Sequence, residues 1–238
     1  MKNNKNNFIT YAHRGASEYC PENTLMSFYM GMQMGANGIE TDVKITKDGL
    51  LVLFHDDTLE RVTGKIGKVS DYTYSELSSF KVKKGDLTDK IPTLEDFLSH
   101  FAYRDITFAI ELKDDNIEKE VGSLIYKYGI ENKAIVTAFE IERIKNVLKY
   151  YPNLKVGYLT QNIDESVINE LININAYEIC PEGKDVTTER VCKWHSLGLN
   201  VRAWGIYNED IMKSVFDAGA DGMTVNFPDK LLEYIKKY

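Results

Sequence analysis

Two carboxylates, Glu40 and Asp42, occupy alternate positions within the candidate strand Gly38–Val43. Residues i and i+2 of a strand share a face, so both side chains are expected to point the same way. In a barrel interior such a pair would be very unfavourable unless it were paired with cations or bound to a metal. Carboxylate oxygens suit Mg²⁺ or Ca²⁺. We therefore predict a metal site here, and the alternative is that both side chains face solvent.

His55 directly follows the next candidate strand, Leu50–Phe54. The intervening residues 46–49 are too few for a crossover helix, so the two strands are expected to form an antiparallel hairpin. Pairing of Ile45 with Leu50 places Glu40 opposite His55, and directly opposed residues lie on one face. This register predicts that His55 joins the two carboxylates, whereas a bulge of one residue would change the pairing.

A second pair with the same spacing, Glu111 and Lys113, stands at the end of the candidate strand Thr107–Leu112. Barrel active sites gather at the carboxyl ends of strands. There Glu111 could complete a metal site, and the Lys113 ammonium could neutralise an anionic substrate as a point charge. The alternative is a surface ion pair where the chain leaves the strand.

The first candidate strand, Phe8–Ala12, leads directly into His13, Arg14 and Gly15. A histidine can act as general acid or base near neutral pH, and the arginine fork can bind a phosphate or carboxylate through two parallel hydrogen bonds. Glycine permits a sharp exit from the strand. Trp204 ends a later strand and could form the wall of a substrate pocket, with an aromatic core position as the alternative.

The elements that must position these residues are short strands alternating with amphipathic helices. Helices are predicted over Leu25–Met34 with Asn23 as the cap, over Leu94–Tyr103, and from Asn208 to Gly219. The candidate strands are Phe8–Ala12, Gly38–Val43, Leu50–Phe54, Thr107–Leu112, Ala134–Ala138, Lys155–Leu159, Tyr177–Cys180, Asn200–Trp204 and Gly222–Val225. This alternation is typical of βα units around a parallel sheet.

The hairpin supplies one extra strand, so eight parallel strands remain for an α/β fold of the TIM (β/α)8 barrel type. An open doubly wound sheet is the alternative, although no Gly-x-Gly-x-x-Gly follows the first strand. Residues 56–90 fit no barrel element, and we interpret them as a small insertion after the second barrel strand. The insertion is either an active-site lid or a solvated surface excursion. A length of 238 residues then fits a single catalytic domain over 1–238.

Composition excludes several classes of function. With 29 Lys+Arg against 36 Asp+Glu the net charge is −7, which argues against a nucleic-acid-binding protein. The three cysteines, Cys20, Cys180 and Cys192, form no CxxC pair, so neither a disulfide framework nor a structural zinc site is expected. The polar amino end, residues 1–7, lacks the apolar stretch of a signal peptide, and no segment reaches the length of a membrane span. We therefore expect a cytoplasmic protein without stable membrane insertion.

Several motifs resemble, in sequence order, those of the glycerophosphodiester phosphodiesterases. The amino-terminal motifs are Ala12-His13-Arg14-Gly15, Pro21-Glu22-Asn23-Thr24, Ile39-Glu40-Thr41-Asp42-Val43 and His55-Asp56-Asp57-Thr58-Leu59-Glu60-Arg61-Val62-Thr63-Gly64. Further matches are Ile91-Pro92-Thr93-Leu94-Glu95, Glu111-Leu112-Lys113 and Ala220-Asp221-Gly222. Together they span most of the chain, and the amino-terminal set is highly specific.

The resemblance implies a TIM barrel with an insertion after the second strand. It also implies hydrolysis of glycerophosphodiesters to glycerol 3-phosphate and an alcohol, with a divalent cation as cofactor and a place in glycerol and lipid metabolism. Carried over residue by residue, it implies that Glu40, Asp42 and Glu111 bind the metal, that His13 and His55 form the acid/base pair, and that Arg14 and Lys113 hold the phosphate.

Two segments depart from the family pattern. Trp204-Gly205-Ile206-Tyr207-Asn208 stands where the family often has Trp-Thr-Val-Asn, and Thr224-Val225-Asn226-Phe227 precedes Pro228-Asp229 where Thr-Asp is common. We expect both changes to alter the shape of the glycerol pocket and to leave the metal ligands and the histidines untouched.

The sequence ranks small water-soluble diesters first as substrates, because no basic or amphipathic segment suggests membrane docking. The alternatives are a related phosphodiesterase acting on lysophospholipids or inositol lipids, and a barrel that binds phosphate esters without turnover. The sequence assigns neither the acid nor the base to a particular histidine. It also leaves open whether water attacks directly or a vicinal hydroxyl of the substrate attacks first to give a cyclic phosphate, and it carries no signal for oligomeric state.

Overall fold

Eight parallel strands close into a barrel in the computed structural model, which describes residues 7–237. The strands along the chain are β1 (Ile9–His13), β2 (Gly38–Ile45), β3 (Leu51–Leu53), β4 (Lys81–Lys84), β5 (Leu87–Lys90), β6 (Thr107–Leu112), β7 (Ala134–Ala138), β8 (Lys155–Thr160), β9 (Glu178–Pro181), β10 (Asn200–Ala203) and β11 (Gly222–Val225). The barrel order is β1-β11-β10-β9-β8-β7-β6-β2, and the β1–β2 pairing closes it. The predicted TIM barrel is therefore confirmed, and the open sheet is wrong.

Ten α-helices fill the connections, within the insertion and around the barrel, in the described part of the chain. They are α1 (Leu25–Gln33), α2 (Glu60–Thr63), α3 (Tyr74–Leu77), α4 (Leu94–Phe101), α5 (Glu118–Lys127), α6 (Ile141–Tyr150), α7 (Glu165–Asn173), α8 (Thr188–Ser196), α9 (Glu209–Asp217) and α10 (Pro228–Ile235). The predicted cap of α1 was wrong by one residue, because the Thr24 side chain accepts from the backbone N–H of Ser27. Asn23 instead adopts a left-handed conformation, with φ of 54°, and its side chain turns towards Asp42.

Parallel register brings the polar positions of neighbouring strands to the same level. His13 of β1 pairs with Glu40 of β2, and Asp42 of β2 pairs with Glu111 of β6. Directly paired residues of adjacent strands point to the same face of the sheet. Three strands therefore deliver four polar side chains to one end of the barrel.

The hairpin formed by β2 and β3 is antiparallel, as predicted, but its register differs by one residue. Ile45 pairs with Leu51 rather than with Leu50. The loop is longer than expected because the Thr46 N–H donates to the Leu50 carbonyl, and Gly49 takes a left-handed conformation with φ of 84°. The five residues 46–50 therefore form the loop, which shifts every pair of the ladder.

The predicted pairing of Glu40 with His55 is consequently wrong. The ladder ends at Leu53, and the last contact between the strands is the Phe54 N–H donating to the Asp42 carbonyl. His55 follows immediately, so its direction is set by the chain that leaves the strand and not by the pleat. It still borders the same cavity as Glu40, although by a different route from the one the register argument gave.

The insertion predicted at about 56–90 contains α2, a 3₁₀ turn at Val69–Asp71, α3 and the hairpin β4–β5. It packs together with the residues that flank it around an apolar cluster, formed by Val52, Phe54, Leu59, Val62, Val69, Leu77, Val82 and Ile91. Two contacts attach its hairpin to the connection after β1: Lys84 Nζ donates to the Ser17 carbonyl, and Asp89 accepts from the Met26 N–H at the start of α1. The segment is a packed extension of the barrel rather than a solvated excursion.

Two expectations concern the surroundings of the protein rather than its fold. No helix within residues 7–237 is long and apolar enough to cross a membrane. Of the polar amino end, by contrast, residues 1–6 lie outside the described residues, and the cytoplasmic location stays a prediction. Cys20, Cys180 and Cys192 are all free, and only Cys192 is exposed.

Candidate active site

A cavity of about 200 Å³ opens at the carboxyl ends of the barrel strands. Its lining contains six of the eight residues expected to form the site: His13, Arg14, Glu40, His55, Glu111 and Trp204. The other two, Asp42 and Lys113, contact this group directly, since Asp42 Oδ2 lies 3.1 Å from Arg14 Nε and Lys113 Nζ lies 2.7 Å from Glu111 Oε1. The structure therefore brings all eight together.

Three buried carboxylates form the centre of this site. Glu40, Asp42 and Glu111 each offer an oxygen within 4.8 Å of the other two. They are 4%, 0% and 7% exposed, so water screens their mutual repulsion very little. The parallel register of β2 and β6 pairs Asp42 with Glu111, so the pairing of the strands brings the carboxylates together.

The pKa values of the three carboxyls reflect this crowding. Burial, together with the charges of Asp42 and Glu111, raises the pKa of Glu40 well above its ordinary value. Burial and the charge of Asp42 raise the pKa of Glu111 to about 7. For Asp42 burial acts in the same direction, but the nearby Arg14 and Lys113 outweigh it and lower the pKa below its ordinary value.

Two cations and one amide stabilise the ionised Asp42. Arg14 Nε lies 3.1 Å from Asp42 Oδ2, and the Asn23 amide donates to the same oxygen at 2.9 Å. Arg14 also divides its charge, because its Nη1 donates to Glu22 at 2.9 Å. Gly15, with φ of 82°, makes the turn after Arg14 possible, and a Cβ there would lie 2.4 Å from Ser27.

The donor set fits a divalent cation. Asp42 Oδ1 is buried and has no hydrogen-bond partner among the described residues, and an unpaired buried carboxylate oxygen is costly. With all three carboxyls ionised the cluster has three negative charges, whereas Arg14 and Lys113 supply two positive ones, of which Arg14 is shared with Glu22. A hard dication prefers oxygen ligands of this kind, so the site suits Mg²⁺ or Ca²⁺.

His13 is held by a residue at the opposite end of the chain. Its Nδ1 lies 2.5 Å from Asn226 Oδ1, which follows β11, and a carbonyl oxygen can only accept, so Nδ1 carries the proton. Nε2 is then directed towards Glu40, at 3.9 Å from Oε2. Burial and the charge of Arg14 lower the pKa of His13 to about 3, which keeps the imidazole neutral.

His55 has a charged partner instead. Its Nδ1 lies 2.7 Å from Asp56 Oδ1, and burial lowers the pKa of His55 although the charge of Asp42 opposes this effect. Burial alone would raise the pKa of Asp56, but hydrogen bonds from Arg61 and His55 lower it to about 2. Asp56 is therefore an ionised acceptor, and His55 donates from Nδ1.

An aromatic wall completes the cavity. Phe139 and Trp204 meet edge to face with ring centroids 4.9 Å apart, and the Trp204 indole N–H donates to the Cys180 carbonyl. Lys113 Nζ lies 5.8 Å from the centroid of Phe139. The wall therefore provides an apolar surface beside the charged cluster, and it also fixes the direction of Trp204.

Sequence reasoning missed several residues of this site. The expectation that the departures from the family pattern leave the histidines untouched was wrong, because Asn226 contacts His13 directly. Glu22 and Asp56 were quoted only as parts of motifs and Asn23 was predicted only as a helix cap, although each contacts a predicted site residue. A polar side chain next to a sharp turn was the sequence signal that could have indicated these three residues. No local pattern indicates Asn226, because its contact with His13 spans 213 positions.

Comparison with protein families matches residues 13–230 to the glycerophosphoryl diester phosphodiesterase family. The chain is 31% identical to a glycerophosphodiester phosphodiesterase of Caldanaerobacter subterraneus over 96% of its own length and 98% of the relative. It is 32% identical to a glycerophosphodiester phosphodiesterase of Bacillus altitudinis, over 94% of this chain and 96% of the relative.

Solved structures share the same fold. The structure of a putative glycerophosphoryl diester phosphodiesterase from Silicibacter pomeroyi superposes with a TM-score of 0.88 at 25% identity, over 97% of this chain and 93% of that one. A phosphodiesterase of Oleispira antarctica, solved in complex with the product sn-glycerol-3-phosphate, gives a TM-score of 0.86 at 23% identity, over 96% of both chains.

Proposed function

The chain belongs to the glycerophosphoryl diester phosphodiesterase family, and on this basis we propose that it hydrolyses glycerophosphodiesters to glycerol 3-phosphate and an alcohol in a reaction that requires a divalent cation. One observation carries the chemical part of this proposal. The buried carboxylates Glu40, Asp42 and Glu111 lie beside two imidazoles, His13 and His55, at the mouth of the barrel. Such a combination supplies both a cation site and two groups that transfer protons.

A phosphodiester anion must be bound and its developing negative charge stabilised. A divalent cation held by the three carboxylates would stabilise charge on the non-bridging oxygens. Lys113 and Arg14 add fixed positive charge next to the same carboxylates, and such preorganised charges act most strongly where water is excluded. Each of the two cations is held by two carboxylates, Arg14 by Glu22 and Asp42 and Lys113 by Glu111 and Asp42, and Arg14 also lines the cavity.

The two histidines transfer the protons. Each imidazole has its Nδ1 engaged, with Asn226 or with Asp56, so each has its Nε2 available for the substrate. One Nε2, unprotonated, removes the proton from the attacking hydroxyl. The other, protonated, donates to the departing alkoxide. Either histidine can take either role in this proposal. The mechanism requires that the two rings lie on opposite sides of the phosphorus.

We place the glycerol or alcohol portion of the substrate against Trp204 and Phe139. Their edge-to-face contact leaves an apolar surface next to the charged cluster, which suits the carbon skeleton of a small diester. We also include in the proposal a cytoplasmic location and a preference for water-soluble diesters. The net charge of −7 supports the substrate preference, because it does not favour anionic membrane surfaces.

The test is an assay of glycerol 3-phosphate release from glycerophosphocholine, with added Mg²⁺ or Ca²⁺ and with a chelator. We expect release with a cation and none with the chelator. His13→Ala and His55→Ala should abolish release, whereas His195→Ala, which alters an exposed histidine paired with Asp221, should retain it. Faster release of the headgroup from lysophosphatidylcholine would favour the lipid alternative, and binding without release would favour the non-catalytic one.

A further inference from the structure

A single arginine of the insertion, Arg61, bonds to two carboxylates, Asp56 and Glu22, which lie beside the proposed active site. Arg61 lies on the short helix α2, and the next residue of this helix, Val62, is buried in the apolar cluster of the insertion. Its guanidinium reaches out of the insertion and forms two hydrogen bonds with Asp56, from Nε at 2.5 Å and from Nη2 at 2.9 Å. It forms two more with Glu22, from Nη1 at 2.8 Å and from Nη2 at 2.6 Å.

Each of these carboxylates holds one residue that the proposed reaction uses. Asp56 Oδ1 accepts from His55 Nδ1 at 2.7 Å, and Glu22 Oε1 accepts from Arg14 Nη1 at 2.9 Å. The order of contacts is therefore His55, Asp56, Arg61, Glu22 and Arg14. Removal of Arg61 would leave two carboxylates close together without the cation that separates their charges.

This network differs from an ordinary exposed ion pair. The Arg61 side chain is 51% exposed, but Glu22 and Asp56 are only 17% and 21% exposed. Both pairings are bidentate, which adds geometric specificity to the charge attraction. Since Arg61 itself contacts neither the carboxylate cluster nor the lining of the cavity, its influence must pass through the two carboxylates.

We propose that Arg61 is a positioning residue, which holds Asp56 so that His55 keeps its Nδ1–H tautomer and ring direction, and holds Glu22 so that Arg14 stays directed at Asp42. The inference rests on the proposed function for its kinetic consequence, but its structural consequence can be measured independently. The insertion then has a specific role, which is to deliver the group that sets His55 in the geometry for proton transfer.

The test compares Arg61→Gln, Arg61→Lys and the control Arg190→Gln. Arg190 carries a similarly exposed guanidinium, 42% against 51%, and its carboxylate partner is Asp185, which is not part of the site. For each protein, kcat and KM for glycerophosphocholine and the half-saturating Mg²⁺ concentration are measured, together with the His55 tautomer from ring ¹⁵N chemical shifts. The melting temperature shows whether each variant folds.

In Arg61→Gln we expect kcat to fall by about 10-fold to 100-fold, the range typical of outer partners of active-site groups, with the half-saturating Mg²⁺ concentration unchanged. His55 should lose its preference for the Nδ1–H tautomer. Arg61→Lys, which keeps the charge without the fork, should fall between Arg61→Gln and the wild type. Arg190→Gln should match the wild type in every measurement.

Two outcomes would overturn the inference: an unchanged kcat and tautomer in Arg61→Gln, or a loss of kcat that follows the melting temperature while the tautomer stays as in the wild type. If the wild type itself releases no glycerol 3-phosphate with a cation present, the proposed function fails. The tautomer comparison still decides whether Arg61 positions His55, so the two failures are distinguishable.

Discussion

Asn226 Oδ1 accepts a hydrogen bond from His13 Nδ1 at 2.5 Å, across 213 positions of the sequence. His13 is the last residue of the first strand and Asn226 directly follows the last strand, and these two strands are paired neighbours in the closed sheet. Ser17 Oγ donates to the same amide oxygen at 3.0 Å, which fixes the amide with its oxygen towards the imidazole. Barrel closure therefore sets the tautomer of His13, and the partner it provides is neutral.

Asn226→Asp tests this contact. An ionised carboxylate in place of the amide stabilises the imidazolium, so the pKa of His13 should rise by about one to three units from its low value. A higher pKa means that the protonated form persists to higher pH. The measurement is an NMR titration of the His13 ring in the presence of a chelator, with Asn173→Asp on the exposed face of α7 as the control. A His13 titration that is the same in Asn226→Asp and the wild type would contradict the assigned contact.

The roles of the two histidines can be separated with the leaving group. His13→Ala and His55→Ala should each lower kcat for glycerophosphocholine by at least about 100-fold, the usual contribution of general acid or base catalysis. With a p-nitrophenyl diester the leaving group is a stable anion and needs no proton. One of the two variants should therefore recover most of its rate on that substrate, which identifies its histidine as the proton donor.

The comparison has a clear negative outcome. If both variants lose rate equally on the two substrates, neither histidine protonates the leaving group, and the two-histidine mechanism is wrong. His100→Ala serves as a control, because His100 bonds to the hydroxyl of Tyr29 and lies outside the lining of the cavity.

The cation site predicts a shift in metal requirement for Asp42→Asn. Asp42 is fully buried, and its Oδ1 accepts no hydrogen bond among the described residues, so an amide there removes a charge that a dication would share. We expect the half-saturating Mg²⁺ concentration to rise by more than about 10-fold, since changes in outer partners alone cost about that much. Asp57→Asn is the matched control, because the Asp57 side chain is 95% exposed. An unchanged Mg²⁺ requirement in Asp42→Asn would place the cation elsewhere.

The sequence predicted the barrel well because strand and helix periods are local properties. The same locality explains the error in the hairpin register. A four-residue loop and a five-residue loop differ only in whether Gly49 takes a left-handed conformation and Thr46 bonds to the Leu50 carbonyl, and both are compatible with the residues 46–50. His55 was nevertheless assigned to the right group of residues because the family motif, unlike the register, does not depend on the pleat.

The sequence pattern predicted that the ends of distant strands converge, but it did not predict which residues of those segments pair. The pairing of Asp42 with Glu111 follows from the parallel register of β2 and β6, which no periodicity specifies. Arg61 was visible only as one letter of a motif, and its role depends on how the insertion packs against the connection after β1. Residues of this kind are determined by tertiary geometry and are found only when the strands are placed.

Above the ordinary histidine pKa of about 6.5, the stability of the metal-free protein should fall as pH rises. Burial and Asp42 raise the folded-state pKa of Glu111 to about 7, whereas the ordinary glutamate value is about 4.3, and the pKa of Glu40 is raised in the same direction. A carboxyl with a raised folded-state pKa binds its proton more tightly in the folded protein. It therefore contributes stability below the unfolded-state pKa, and this contribution is lost as pH rises through the folded-state value.

Melting temperatures measured with a chelator should accordingly decrease between about pH 6.5 and about pH 8. Below about pH 6.5, the ordinary histidine pKa, the lowered pKa values of His13 and His55 oppose the effect of the carboxyls, and the raised pKa of Glu111 sets the upper part of the window. Mg²⁺ should oppose the decrease, because a bound dication favours the ionised carboxylates, so the difference in melting temperature between Mg²⁺ and chelator grows with pH. Glu111→Gln removes one titrating group and should flatten the profile in chelator. A chelator profile in which the wild type becomes more stable towards pH 8 would mean that the three carboxylates are not in electrostatic conflict, and the argument for a cation among them would lose its basis.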